Sequence, residues 1–98
     1  MEQLERIGRM EAILNRGTEA LSALEAALEA YEAVSPQLAE FEDYYESPQW
    51  MLDFSADEAG QLPPDLKRGV LSQDGIYNLL ERREELLRDL RRLGEEAP

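Results

Sequence analysis

Between Ile7 and Tyr31 an apolar or small residue returns at alternating intervals of three and four: Ile7, Met10, Leu14, Gly17, Leu21, Leu24, Leu28 and Tyr31. An α-helix gathers such a series into one stripe, because its 3.6-residue turn lies between the two intervals. Ile13, Ala20, Ala27 and Val34 widen the stripe on one flank, while Glu and Arg fill the other faces. Gly8 and Gly17 each cost about 1 kcal/mol against Ala in a helix interior, yet the phase runs through Gly17 unbroken. The spacing predicts one long helix over residues 3–34, about 48 Å at about 1.5 Å per residue.

Ser35-Pro36-Gln37 and Ser47-Pro48-Gln49 then read as helix starts. A Ser oxygen can cap free amides, and Pro is harmless at the first helical position but costs roughly 3 kcal/mol inside a helix. Short helices are therefore expected at about 36–46 and 48–59, with Gly60 as the stop. Leu62 must be extended because Pro63 follows it, and 65–68 reads as a single turn ending at Gly69. Ser72 should cap a last helix over 73–93, with Leu71 and Ile76 spaced as a hydrophobic staple. No strand pattern appears. The fold expected is all-α: an antiparallel hairpin of the two long helices, 3–34 and 73–93, with the two short ones packed across it. The 98 residues form one domain, with 94–98 as a frayed tail. The first helix outruns the last by about ten residues, so the 36–59 segment or a second copy must cover the excess stripe.

Charge and missing residue types narrow the function. The chain holds 22 acidic and 10 basic residues, a net charge of −12, and residues 1–46 account for 11 of the acids and 3 of the bases. Direct nucleic-acid binding rests on excess Lys and Arg, so it is not expected. Without Cys or His, the chain has no thiol nucleophile, no thiolate metal site and no imidazole base. No apolar run approaches the roughly 20 residues of a membrane span, and the charged N-terminus does not resemble a signal peptide. Cytoplasmic residence is the expectation.

Residues 44–60, YYESPQWMLDFSADEAG, hold the candidate site. Trp50, Asp53 and Asp57 share one helical face beside Phe54. They read either as a pocket with an aromatic wall and paired carboxylates, or as core with the acids latched to Lys67 and Arg68. Tyr44 and Tyr45 lie about 100° apart on a helix, so they cannot both face inward. Tyr44, Tyr45, Trp50, Asp53, Asp57 and Glu58 form the candidate interaction patch, and Lys67 with Arg68 the candidate latch. Asp53, Ser55 and Asp57 imitate the opening of a calcium loop. The pattern then fails, with Glu58 where Gly is needed and Pro64 where the closing Glu belongs. Lys67, the only lysine, could serve as a reactive amine only in a desolvated pocket. Arg82-Arg83 and Arg91-Arg92 are interspersed with Glu81, Glu84, Glu85 and Asp89, which describes a salt-bridged, solvated face.

The stretch YYESPQWMLDF, followed by DEAGQLPPDLKRGVLSQDGIYNLL, resembles the small bacterial proteins grouped as domain of unknown function 4298 (DUF4298). With the Leu/Ala/Glu-rich helix before it, the resemblance covers residues 5 to about 93. Trp50, Asp53, Asp57, Glu58, Gly60, Pro63, Lys67, Arg68, Gly69 and Ser72 match the pattern. Gln73 and Gly75 depart from it, and both departures concern helix capping. The resemblance implies an all-α bacterial cytosolic protein and supplies no catalytic, cofactor or metal residues.

Three functions remain. The first is a non-enzymatic interaction module that binds another protein, or itself, through residues 44–58. The second is an acidic decoy of nucleic acid that occupies a basic partner surface. The third is a carboxylate site for a divalent metal, or an enzyme. The first is preferred: no catalytic residues, no cofactor, no metal and no membrane contact are expected.

Overall fold

The computed structural model describes residues 1–96, which form three α-helices, one short 3-10 turn and connecting segments, with no strand among them. Helix α1 spans Glu2–Glu46, α2 Pro48–Glu58 and α3 Gln73–Glu96, and the 3-10 turn Gly69–Leu71 precedes α3. Contacts divide the chain into two compact units, Met1–Ala39 and Glu40–Pro98, and the division falls inside α1.

Residues 1–39 are helical from Glu2 onward and hold no buried side chain. The break expected between 3–34 and 36–46 does not occur, because Pro36 lies inside α1. Pro36 deprives the Glu32 carbonyl of its backbone donor, but Glu32 is exposed and water can take that place. The apolar phase also continues through the proline to Leu38 and Tyr45, both half-buried. Keeping the helix keeps that phase, whereas a restart at Ser35 would lose it.

The second unit holds the core. Trp50, Leu71 and Ile76 are 3, 7 and 1% exposed, and no other described residue is buried. Each such side chain contributes about 1.5–3 kcal/mol by leaving water. On α3 the covered face runs through Ile76, Leu80, Arg83 and Leu87, while Leu79, Leu86, Leu90 and Leu93 stay exposed. Leu71 and Ile76 are thus the two halves of a staple across the start of α3. Ser72 Oγ accepts the Gly75 N–H at 3.2 Å, which places Ser72 at the N-cap. Ser72→Ala should therefore destabilise the protein by about 1 kcal/mol. An unchanged Tm by circular dichroism would remove Ser72 from that role.

Helix α2 starts and stops by different chemistry. Pro48 occupies the first turn, but the Ser47 side chain caps no amide of α2. Its Oγ–H donates backward to the Tyr44 carbonyl at 2.6 Å, so Ser47 ties off α1 rather than opening α2. At the far end Gly60 adopts φ 72°. Gly60 N–H then reaches the Asp57 carbonyl and Gln61 N–H the Ala56 carbonyl, both at 3.0 Å, the paired bonds of a Schellman cap. A side chain at Gly60 would meet open space, so its cost is conformational alone. Gly60→Ala should lower stability by about 1–2 kcal/mol, read from urea unfolding; an equal midpoint would sink the assignment.

The single turn expected at 65–68 sits elsewhere: Leu66 N–H closes onto Pro63, and the 3-10 turn follows at 69–71. Helix α3 runs past Gly94 to Glu96, so the expected fraying does not begin at that glycine. Residues 97 and 98 of the expected tail lie outside the described residues.

Candidate functional site

Trp50 organises the 44–71 region. Its ring stacks on Phe54 with centroids 5.2 Å apart and planes at 23°. Tyr45 meets it edge-on at 5.0 Å and 80°. The indole N–H donates to the Val70 carbonyl at 2.9 Å, joining α2 to the 3-10 turn across 20 residues of sequence. An aromatic with its polar atom satisfied inside and its faces covered is a core residue.

The two tyrosines diverge as helix geometry requires. Tyr45 turns to Trp50, whereas the Tyr44 hydroxyl donates to Asp53 Oδ2 at 2.6 Å. Gln49 Nε2 holds the other oxygen of Asp53 at 3.1 Å. The bond to Asp53, then burial and the Asp53 charge, push the Tyr44 phenol up to about 12. Because the folded state raises this pKa, the bond's stabilisation is complete below pH 10 and is lost as pH rises toward 12. Tyr44→Phe should therefore delete a phenolate absorbance step near pH 12; an unaltered alkaline titration would contradict the bond.

Asp57 belongs to a second knot. Arg68 Nε–H donates to Asp57 Oδ1 at 2.5 Å. Its remaining nitrogens donate to the carbonyls of Pro63 at 2.7 Å, Leu66 at 2.9 Å and Pro64 at 3.1 Å. Pro63 and Pro64 have no N–H and interrupt any regular ladder here. The guanidinium fork supplies donors that the backbone cannot. Lys67 is exposed and joins no salt bridge among the described residues, so Arg68 alone clasps α2. Lys67 lines a shallow recess with Tyr44, Asp53 and Val70. Glu58 is exposed. Of the six candidate patch residues, then, Trp50 is buried, Tyr44, Tyr45, Asp53 and Asp57 are half-buried and engaged, and Glu58 faces solvent.

Glu42 and Arg83, which sequence reasoning does not pair, form an ion pair 41 residues apart. One signal could have pointed to it: Arg83 falls on the apolar phase of α3, where an unpaired charge would be costly. The pair lines an open recess with Tyr45, Glu46, Tyr77 and Glu81. There a hydrogen bond to Glu81 holds the Tyr77 phenol above its usual value. Among the described residues no three acidic side chains gather as metal ligands would, and no helix is long and apolar enough to cross a membrane. The arrangement ties the acids Asp53, Asp57 and Glu42 to hydrogen-bond donors.

No curated protein and no solved structure shows significant similarity to the chain. A family model does match it, over residues 7–93 of the 98, and the chain accordingly belongs to the family described as Domain of unknown function (DUF4298).

Proposed function

We propose that the chain is a non-enzymatic protein-interaction module, working in the cytoplasm without cofactor or nucleic acid, and that α1 carries its main binding surface. The observation behind this reading is the exposure of a continuous apolar stripe. Ile7, Met10, Leu14, Leu21, Leu24 and Leu28 are 42–68% exposed. Contiguous apolar surface of this kind on a soluble chain marks a place where something binds. The 44–58 stretch is a poorer surface, because Trp50 is turned inward and its neighbours bond to each other; Tyr45 and Glu58 are what it still offers a partner. Closure of the expected hairpin, with α3 folding along the stripe, would compete with a partner for the same face.

A second reading has one observation in its favour. Residues 17–46 carry eight acids and no base, which suits a decoy seated on a basic surface. One capture experiment separates the two, with immobilised full-length chain compared with a Leu21→Glu/Leu24→Glu variant at low and high salt. An apolar interface should survive salt and vanish in the variant. A decoy should release its partner steeply with salt and ignore the substitutions. Equal capture by both proteins under all conditions would defeat the α1 assignment.

A further inference from the structure

Resting on the reading of α1 as the binding surface, we infer that its occupant is a second copy of this chain, paired in parallel and in register over residues 7–34. The heptad places Ile7, Leu14, Leu21 and Leu28 at the a positions, and Met10, Gly17, Leu24 and Tyr31 at d. Charge then selects the partner's direction. The e positions are Glu11, Thr18, Glu25 and Glu32, and the g positions are Arg6, Ile13, Ala20, Ala27 and Val34.

In a parallel pair each g residue faces the e residue five places on in the other copy. Arg6 therefore meets Glu11, and Glu25 and Glu32 meet the alanines 20 and 27. The opposite-charge pair Arg6–Glu11 forms twice, once on each side of the seam, and no like-charge pair forms. In an antiparallel pair e faces e, and the register that engages the whole stripe, Ile7 opposite Tyr31, sets Glu11 against Glu25 twice. The remaining charges of this segment, among them Arg9, Arg16, Glu19 and Glu29, lie at b, c and f, away from the seam.

Area agrees with charge. Ile13 and Val34, at 47 and 38% exposed, extend the six stripe residues into one surface. Eight large side chains about half in solvent offer area on the order of the roughly 800 Å² that one partner gives a standard stable interface. Small residues at positions 20 and 27 let a second helix approach closely along the flank, and a Cβ at Gly17 would meet nothing within its own chain.

The absence of cysteine makes the test clean. Leu14→Cys and Leu24→Cys variants of the 98-residue chain, whose positions face each other in that antiparallel register, are each oxidised alone and mixed, and the mass of the wild type is measured by sedimentation. Each single variant should give a disulfide-linked species of twice 11.2 kDa, and the wild type should sediment as two copies. Leu21→Glu/Leu24→Glu should halve the sedimenting mass while leaving Trp50 fluorescence unchanged, which shows that the 40–96 unit stays folded. Cross-linking confined to the mixture would establish antiparallel pairing and overturn the inference. So would a wild-type mass of one copy, or of three or four. If that one-copy protein still captures another partner through the stripe, the inference fails and the reading of α1 stands. If it captures nothing, both fail.

Discussion

Trp50→Ala should lower the free energy of unfolding by about 3–5 kcal/mol, the usual cost of truncating a buried aromatic. Three losses combine: the stack on Phe54, the edge contact with Tyr45, and the indole bond that ties Val70 to α2. With stabilities of small domains at about 5–15 kcal/mol, that is a large share of the whole. Trp50→Phe divides the terms. It retains a ring for Phe54 and leaves the Val70 carbonyl to water, so it should cost clearly less, about 1–3 kcal/mol. Unfolding must be followed by circular dichroism, because Trp50 is the only tryptophan and its fluorescence disappears with it. A Trp50→Ala protein as stable as wild type would mean that the indole is not in the core. The consequence for function is direct: this substitution removes a large share of the second unit's stability, so a loss of binding in it cannot be assigned to a surface.

Arg68→Ala should have the next largest effect, about 2–3 kcal/mol, and more than a surface ion pair can supply. The Asp57 pair alone is partly exposed and solvent-screened, at about 0–1 kcal/mol. The difference lies in three carbonyls, of Pro63, Pro64 and Leu66, that share one guanidinium. Bonds from a charged donor contribute about 1.5–3 kcal/mol, reduced here because the arginine side chain is 34% exposed. Arg68→Lys should recover little, since an ammonium cannot spread five donors over four acceptors. Asp57→Asn keeps an acceptor oxygen and should cost least. The expected order of loss in urea unfolding is Arg68→Ala, then Arg68→Lys, then Asp57→Asn. If Asp57→Asn proves the most damaging, the carbonyl bonds contribute little and the clasp is an ordinary ion pair.

The legible parts of this fold are those whose cause is local. Ser72 caps α3 because its oxygen needs only the amide three residues on, and Gly60 ends α2 because a positive φ is a property of one residue. Ser47 shows where local reading fails even at short range. Its hydroxyl had two carbonyl or amide ends within reach and took the α1 carbonyl, a choice set by how tightly α1 hands over to α2. Asp53 and Asp57 were visible as a pair on one face, with Arg68 beside Lys67 as a candidate latch, but the partners of Asp53 were not. Asp53 went to Tyr44 and Gln49 instead of to a cation, and Asp57 to Arg68.

What the sequence determined by itself was the helical class, the two capped boundaries at Gly60 and Ser72, and the exclusion of thiol and imidazole chemistry. Periodicity, caps and residue inventory act within about one helical turn and need no tertiary context. Tertiary structure alone decided that Trp50 faces inward and that Glu42 meets Arg83. Each of these weighs a local cost, such as one half-buried charge, against contacts made many residues away. Sequence spacing carries no record of that comparison, because the competing energies are set by which side chains the folded chain brings within reach.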